Sequence, residues 1–168
     1  MNFKEAVFVN PKSLIKEEVD IIFVSDLFVD DYVGGAELTS EALIEESPFK
    51  IQKLRSREVN LATLQQGISK FWIFGNFSQL NPELIPSIVA NLKYSILEYD
   101  YKYCRYRSPE KHQVDTGMQC DCHQQMTGKM VSAFYHGATS LWWMSEAQKS
   151  RYFELYRLLV LKLNSSSD

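Results

Sequence analysis

The stretch "DIIFVSDLFVDDYVGGAELTSEALIEES", residues 20–47, decides the fold. Residues 21–25 form a continuous apolar run ending in serine, the pattern of a strand buried on both faces of a parallel sheet. An acidic loop follows and closes on Gly34 and Gly35. Good helix formers begin at once, with Leu38 and Ala42 four apart and Thr39 and Leu43 likewise. A strand handing over to a helix through such a loop is the first half of a β-α-β unit.

The same alternation continues along the chain. "FKIQKL" (49–54) reads as a strand, and "NLATLQQG" (60–67) as a short helix capped by Asn60 and stopped by Gly67. "KFWIFGN" (70–76) is a strong strand. In "NPELIPSIVANL" (81–92), Asn81 caps, Pro82 suits the first helical position, and Pro86 divides a first turn from the helix proper. "KYSILEYDYKY" (93–103) and "SLWWMS" (140–145) read as further strands, with a helix over about 123–137 between them. Ser145 and Gln148 have the spacing of a capping box. They open a helix with Tyr152, Tyr156, Leu159 and Leu163 along one face. "AVFV" (6–9) reads as an extra edge strand and "NSSSD" as a frayed tail. The pattern predicts an α/β, Rossmann-like three-layer domain with a mostly parallel sheet, spanning residues 1–168. An irregular Cys/His-rich insertion interrupts it at about 104–125.

Composition narrows the class. At 168 residues and 45% hydrophobic, the chain can bury a sizeable core. A net charge of −3 does not make the field of a nucleic-acid binder. No apolar run reaches the roughly 18–20 residues of a membrane span, and "MNFKEAVFVNPKS" lacks a signal peptide's apolar core. The expectation is a cytoplasmic protein. Three cysteines, an odd number, do not make a disulfide scaffold.

Ligands of open parallel sheets bind outside the carboxyl ends of the strands, where residues 26–35 lie. Two glycines there allow a ligand close to the main chain; equally, they allow a tight turn and close helix packing. "VGGAE" is neither a dinucleotide fingerprint nor a Walker motif. Asp26, Asp30 and Asp31 read either as a cation site or as a solvated loop. No G-x-S-x-G or H-E-x-x-H is present.

"DIIFVSDLFVDDYVGGAELTSEALI" resembles the opening of the amino-terminal domain of GT-B glycosyltransferases, family 4 in particular, with Gly34, Gly35 and Glu37 on the family's glycine motif. "KFWIFGNFSQLNPELIPSIVANLKYSILEYDY" and "LWWMSEAQKSRYFELY" are similar to that domain's middle and end. The resemblance implies the acceptor-binding half of an enzyme that transfers a sugar from a nucleotide-sugar donor. Asp26, Gly34, Gly35, Glu37 and Ser145 would then face the substrate, a sugar or glycan acceptor. The resemblance implies a donor-binding carboxy-terminal domain outside these 168 residues, so a separate donor-binding subunit or a homo-oligomer is expected. The family's histidine–acid pair falls on Tyr99 and Asp100. Tyrosine does not replace imidazole near pH 7, which leaves Glu98, Tyr99 and Asp100 as the catalytic candidates. The alternatives are a non-catalytic binding or assembly module on the same fold, and a metal-stabilised small-molecule binder.

The second alternative rests on "CRYRSPEKHQVDTGMQCDCH", residues 104–123. Thiolates and imidazoles together suit zinc, and Cys104, His112, Cys120 and Cys122 form a conceivable set of four. His123 adjoins Cys122, and neighbours rarely both reach one ion. Free thiols, or a Cys104–Cys120 pair formed by oxidation, are the other readings. Arg105, Arg107 and Lys111 among tyrosines read either as a phosphate- or sugar-facing group or as a solvated loop. His136 reads as a helix C-terminal residue. Trp142 and Trp143 point to opposite faces of a strand.

Overall fold

The computed structural model describes residues 14–154. Five strands, β1 (Ile21–Ser25), β2 (Ile51–Arg55), β3 (Phe71–Phe74), β4 (Lys93–Glu98) and β5 (Ser140–Trp143), form one sheet in the order β2-β1-β3-β4-β5. Every neighbouring pair is parallel. Between them run α1 (Gly35–Glu45), α2 (Leu61–Gln66), α3 (Ile85–Asn91), α4 (Pro109–Thr116) and α5 (Met126–Gly137). A sixth helix, α6, begins at residue 146 after β5. The winding direction reverses once, between β1 and β3. This is the doubly wound, Rossmann-like arrangement expected from the sequence.

Alternate residues of each strand feed two cores. On one face, Ile22, Val24, Trp72, Phe74, Tyr94 and Ile96 cluster with Leu64 of α2, Ile88 of α3 and Phe134 of α5. The Phe134 ring lies 5.0 Å from both Phe74 and Tyr94. On the other face, Phe23 and Leu97 meet Phe28, with Ile44 of α1 packed against them. Each large apolar side chain fully removed from water contributes about 1.5–3 kcal/mol, so the aromatic-rich first face is the stronger adhesive.

Local chemistry sets most boundaries. Asn60 accepts from the Thr63 amide at 3.0 Å, and the Trp72 indole donates to the carbonyl of Gly67 at 2.8 Å. Pro86 stands in the first turn of α3, after a 3-10 turn at Pro82–Leu84, where its missing N–H costs nothing. Ser145 accepts from the Gln148 amide at 3.1 Å, and the Gln148 side chain returns to the Met144 amide at 2.8 Å.

The fourth strand corrects the sequence reading. It ends at Glu98 rather than near 103, because the chain then turns and Cys104 N–H bonds the Tyr101 carbonyl at 3.2 Å. The insertion is not wholly irregular, since it contains α4. The helix expected from 123 is a 3-10 turn at Cys122–Gln124, and α5 begins at Met126. The second strand sits slightly later than expected, at Ile51–Arg55. Trp142 is exposed, and Trp143 packs 4.6 Å from Tyr152. "AVFV", "NSSSD", Tyr156, Leu159 and Leu163 lie outside the described residues. Among the described residues, no helix is long and apolar enough to cross a membrane.

Candidate metal centre and the carboxyl edge of the sheet

Three short segments bring four ligand-type side chains together after β4. The first is the turn beyond that strand. Lys102 reaches back to Glu98 with its ammonium at 2.8 Å, which fixes the start of the turn. Cys104 is then buried, and its sulfur receives the Tyr106 amide at 3.4 Å. The second is α4. Ser108 caps it by accepting from Lys111 N–H at 3.1 Å, Pro109 takes its first position, and Gly117 closes it at φ 72°. That left-handed conformation suits glycine. This short helix turns His112 inward. The third is the turn carrying Cys120 and Cys122.

The ligand atoms of Cys104, His112, Cys120 and Cys122 all lie within 4.8 Å of one another. The Nδ1 of His112 is 3.3 Å from the sulfur of Cys104 and 3.4 Å from that of Cys122. A tetrahedral ion holding sulfur at about 2.3 Å and nitrogen at about 2.0–2.1 Å sets those two atoms about 3.6 Å apart. The observed separations are close to that edge length. Desolvation pushes the Cys120 thiol up to about 12, and raises Cys122 as well. A divalent cation reverses this, because it binds the thiolates and displaces their protons. The four residues are the set singled out in the sequence. His123 lies in the adjoining 3-10 turn, outside the group.

Gly128 had no sequence signal, yet the centre depends on it. A methyl group placed there would stand 2.2 Å from the Cys122 carbonyl oxygen and 2.6 Å from the His123 Cα. Only glycine lets α5 pack this closely onto the turn that carries Cys122. The α4 helix did have a signal: serine, proline and acid at 108–110 and glycine at 117 are the start and stop marks of a helix.

The other carboxyl-edge residues are differently engaged. Both Asp26 oxygens are taken: by the Ser56 hydroxyl, by Ser78 N–H at 2.9 Å and its hydroxyl at 2.5 Å, and by Gln79 N–H at 3.0 Å. Burial raises its pKa, but these donors outweigh that and leave it below the ordinary value. Asp26 thus ties together the loops that follow β1, β2 and β3 at the point of reversal. Asp31 pairs with Arg55 at 2.6 Å, and Asp30 with Lys53 at 3.5 Å. The acidic cluster therefore resolves into ion pairs of Asp30 and Asp31 with β2 and hydrogen bonds at Asp26.

Gly34 caps α1 with φ −135°, a conformation open to any residue. What its missing side chain allows is closeness: a methyl group there would meet the Glu37 carboxylate at 2.7 Å. Nothing crowds Gly35. Glu37 is about nine-tenths buried. Nearby, Tyr99 shares a 2.6 Å hydrogen bond with Ser40 of α1, and burial pushes its pKa up to about 12. Asp100 pairs with Lys102 at 3.3 Å and Arg107 at 3.6 Å. Glu98 is buried beneath them, accepting from the Tyr135 hydroxyl as well as from Lys102. Desolvation lifts its pKa to about 7, against the pull of Lys102. Ser145, at the same edge, is the cap of α6.

Fold and site together define a Rossmann-like α/β domain with a Cys/His cluster able to hold a metal ion. Compared with known proteins, the chain matches no family model, no curated protein and no solved structure at a significant level.

Proposed function

We propose that the chain is a ligand-binding module on a Rossmann-like fold whose carboxyl-edge loop is stapled by a structural zinc ion. The observation that carries the reading is the convergence of Cys104, His112, Cys120 and Cys122 from three separate segments. Thiolate and imidazole donors favour zinc among common divalent ions. Four protein ligands make a closed site, whereas catalytic zinc keeps a position for water or substrate. The ion's work is therefore to order residues 104–122 over the end of the sheet. Titration with cobalt(II) tests this. One equivalent should give the intense sulfur-to-cobalt absorption of a tetrahedral thiolate site, and Cys104→Ser should abolish it. An octahedral spectrum, or no saturation, would refute the reading.

Sugar transfer, with a nucleotide-sugar as donor, is the second reading. One observation favours it: the carboxylate of Glu37, a residue about nine-tenths buried, stands at the glycine cap of α1, where the missing side chain of Gly34 makes room for it. Such a carboxylate is available to a ligand hydroxyl. Calorimetry with a panel of nucleotide sugars and acceptors checks it. Binding that Glu37→Gln weakens supports the reading, and no heat with any member of the panel counts against it.

A further inference from the structure

We propose that a second site, the cavity between the loop after β3, the turn after β4 and the start of α5, binds the phosphate of a small phosphorylated molecule. The cavity measures about 370 Å³, within the range of small-ligand sites. Its charged lining is of one sign. Arg105 and Arg107 line it and no carboxylate does; the wholly buried side chain of Lys102 lies behind the wall, on Glu98. The acids that answer Lys102 and Arg107 are Glu98 and Asp100, which are not part of the cavity wall. Three cations against these two acids leave one positive charge over. Among the described residues Arg105 has no acidic partner; its guanidinium bonds the Tyr106 hydroxyl at 2.7 Å and lies on that ring.

The remaining wall suits the same ligand. Thr127, in the first turn of α5, lines the cavity, and no side chain caps that twelve-residue helix. Its amide end adds partial positive charge to the arginines, whose planar forks match phosphate oxygens. Phe77, Leu80, Ile85 and Met130 supply apolar surface for the body of the ligand. The adjoining cleft of about 480 Å³ is a useful contrast. There Arg107 and Arg151 are met by Asp100 and Glu110 in the same wall, so its charges cancel.

Isothermal titration of the full chain with pyrophosphate at fixed ionic strength tests the proposal, with malonate as the carboxylate probe and zinc content measured on every sample. Saturable one-to-one binding of pyrophosphate is expected. Arg105→Gln and Arg107→Asn should each weaken it about tenfold, the effect of losing a hydrogen bond to a charged group. Asparagine tolerates the left-handed φ of 59° at position 107, so the backbone is kept. Arg151→Gln should leave binding unchanged. Absence of saturable heat overturns the proposal, as does equal binding of malonate, or a loss with Arg151→Gln matching that of the other two. A metal-loaded chain that gives no heat refutes this site alone. A metal-free chain that binds pyrophosphate refutes the zinc reading alone.

Discussion

The sheet and the loop that crowns it are held together by different physics. Along β1, β3 and β4 the cohesion is apolar: Trp72, Phe74 and Tyr94 are wholly removed from water, Trp72 stacks on Phe74, and Phe74 and Tyr94 meet Phe134 ring against ring. Between Tyr99 and Gln125 only Tyr101, Tyr103 and Cys104 are buried members of the apolar core, and polar, convergent contacts are added to them. A buried Lys102–Glu98 pair starts these contacts, and the Cys104–His112–Cys120–Cys122 group closes them. A packed sheet face loses stability in proportion to the volume removed. A ligand cluster fails when any one member is lost.

Truncating the core should show the first kind of dependence and have the largest effect. Trp72→Ala should cost about 3–5 kcal/mol in denaturant unfolding, with the metal stoichiometry unchanged in whatever fraction remains folded. Acidity probes the junction of the two regions. Glu98 has its folded-state pKa near 7, above the ordinary 4.5, so the folded state holds the proton more tightly. Its contribution is therefore fully present below about pH 4.5 and is lost as pH rises through about 7. The change should be on the order of 1–3 kcal/mol, and Glu98→Gln should flatten that part of the stability profile.

Gly128→Ala should sharpen the contrast further. It removes nothing from the core, yet should cost about 1–3 kcal/mol, because the added methyl group collides with backbone at Cys122 and His123. It should also weaken metal binding, which Trp72→Ala should not do. The smallest effect is expected at the edge of the sheet. Ser145→Ala removes the cap of α6 and should cost about 1 kcal/mol in thermal unfolding, without altering metal content.

The same difference explains what the sequence disclosed. Strands and helices around "IIFVS", "KFWIFGN" and "NLATLQQG" follow from neighbouring residues alone, since apolar runs, caps and stops are local signals. The end of β4 does not: "KYSILEYDYKY" carries strand-forming residues throughout, and the chain departs at Glu98 because Lys102 and Cys104 are drawn elsewhere. The four residues of the Cys/His cluster were legible from their chemistry, but their convergence depends on α4, whose Ser108–Pro109 start was in plain view. Gly128 was hidden, because its role is a contact with a turn and not a backbone conformation of its own. Asp26 had looked free to meet a ligand. Its partners Ser56 and Ser78 are 30 and 52 residues away, beyond any local pattern.

The central claim is that the polar region is closed by a metal ion. Zinc measured by mass spectrometry on freshly purified, untagged chain, beside its Cys104→Ser variant, tests it most directly. The account predicts about one ion per chain in the parent and none in the variant, as a closed four-ligand site requires. Less than about 0.2 ion per chain in the parent, or equal content in both proteins, would contradict it.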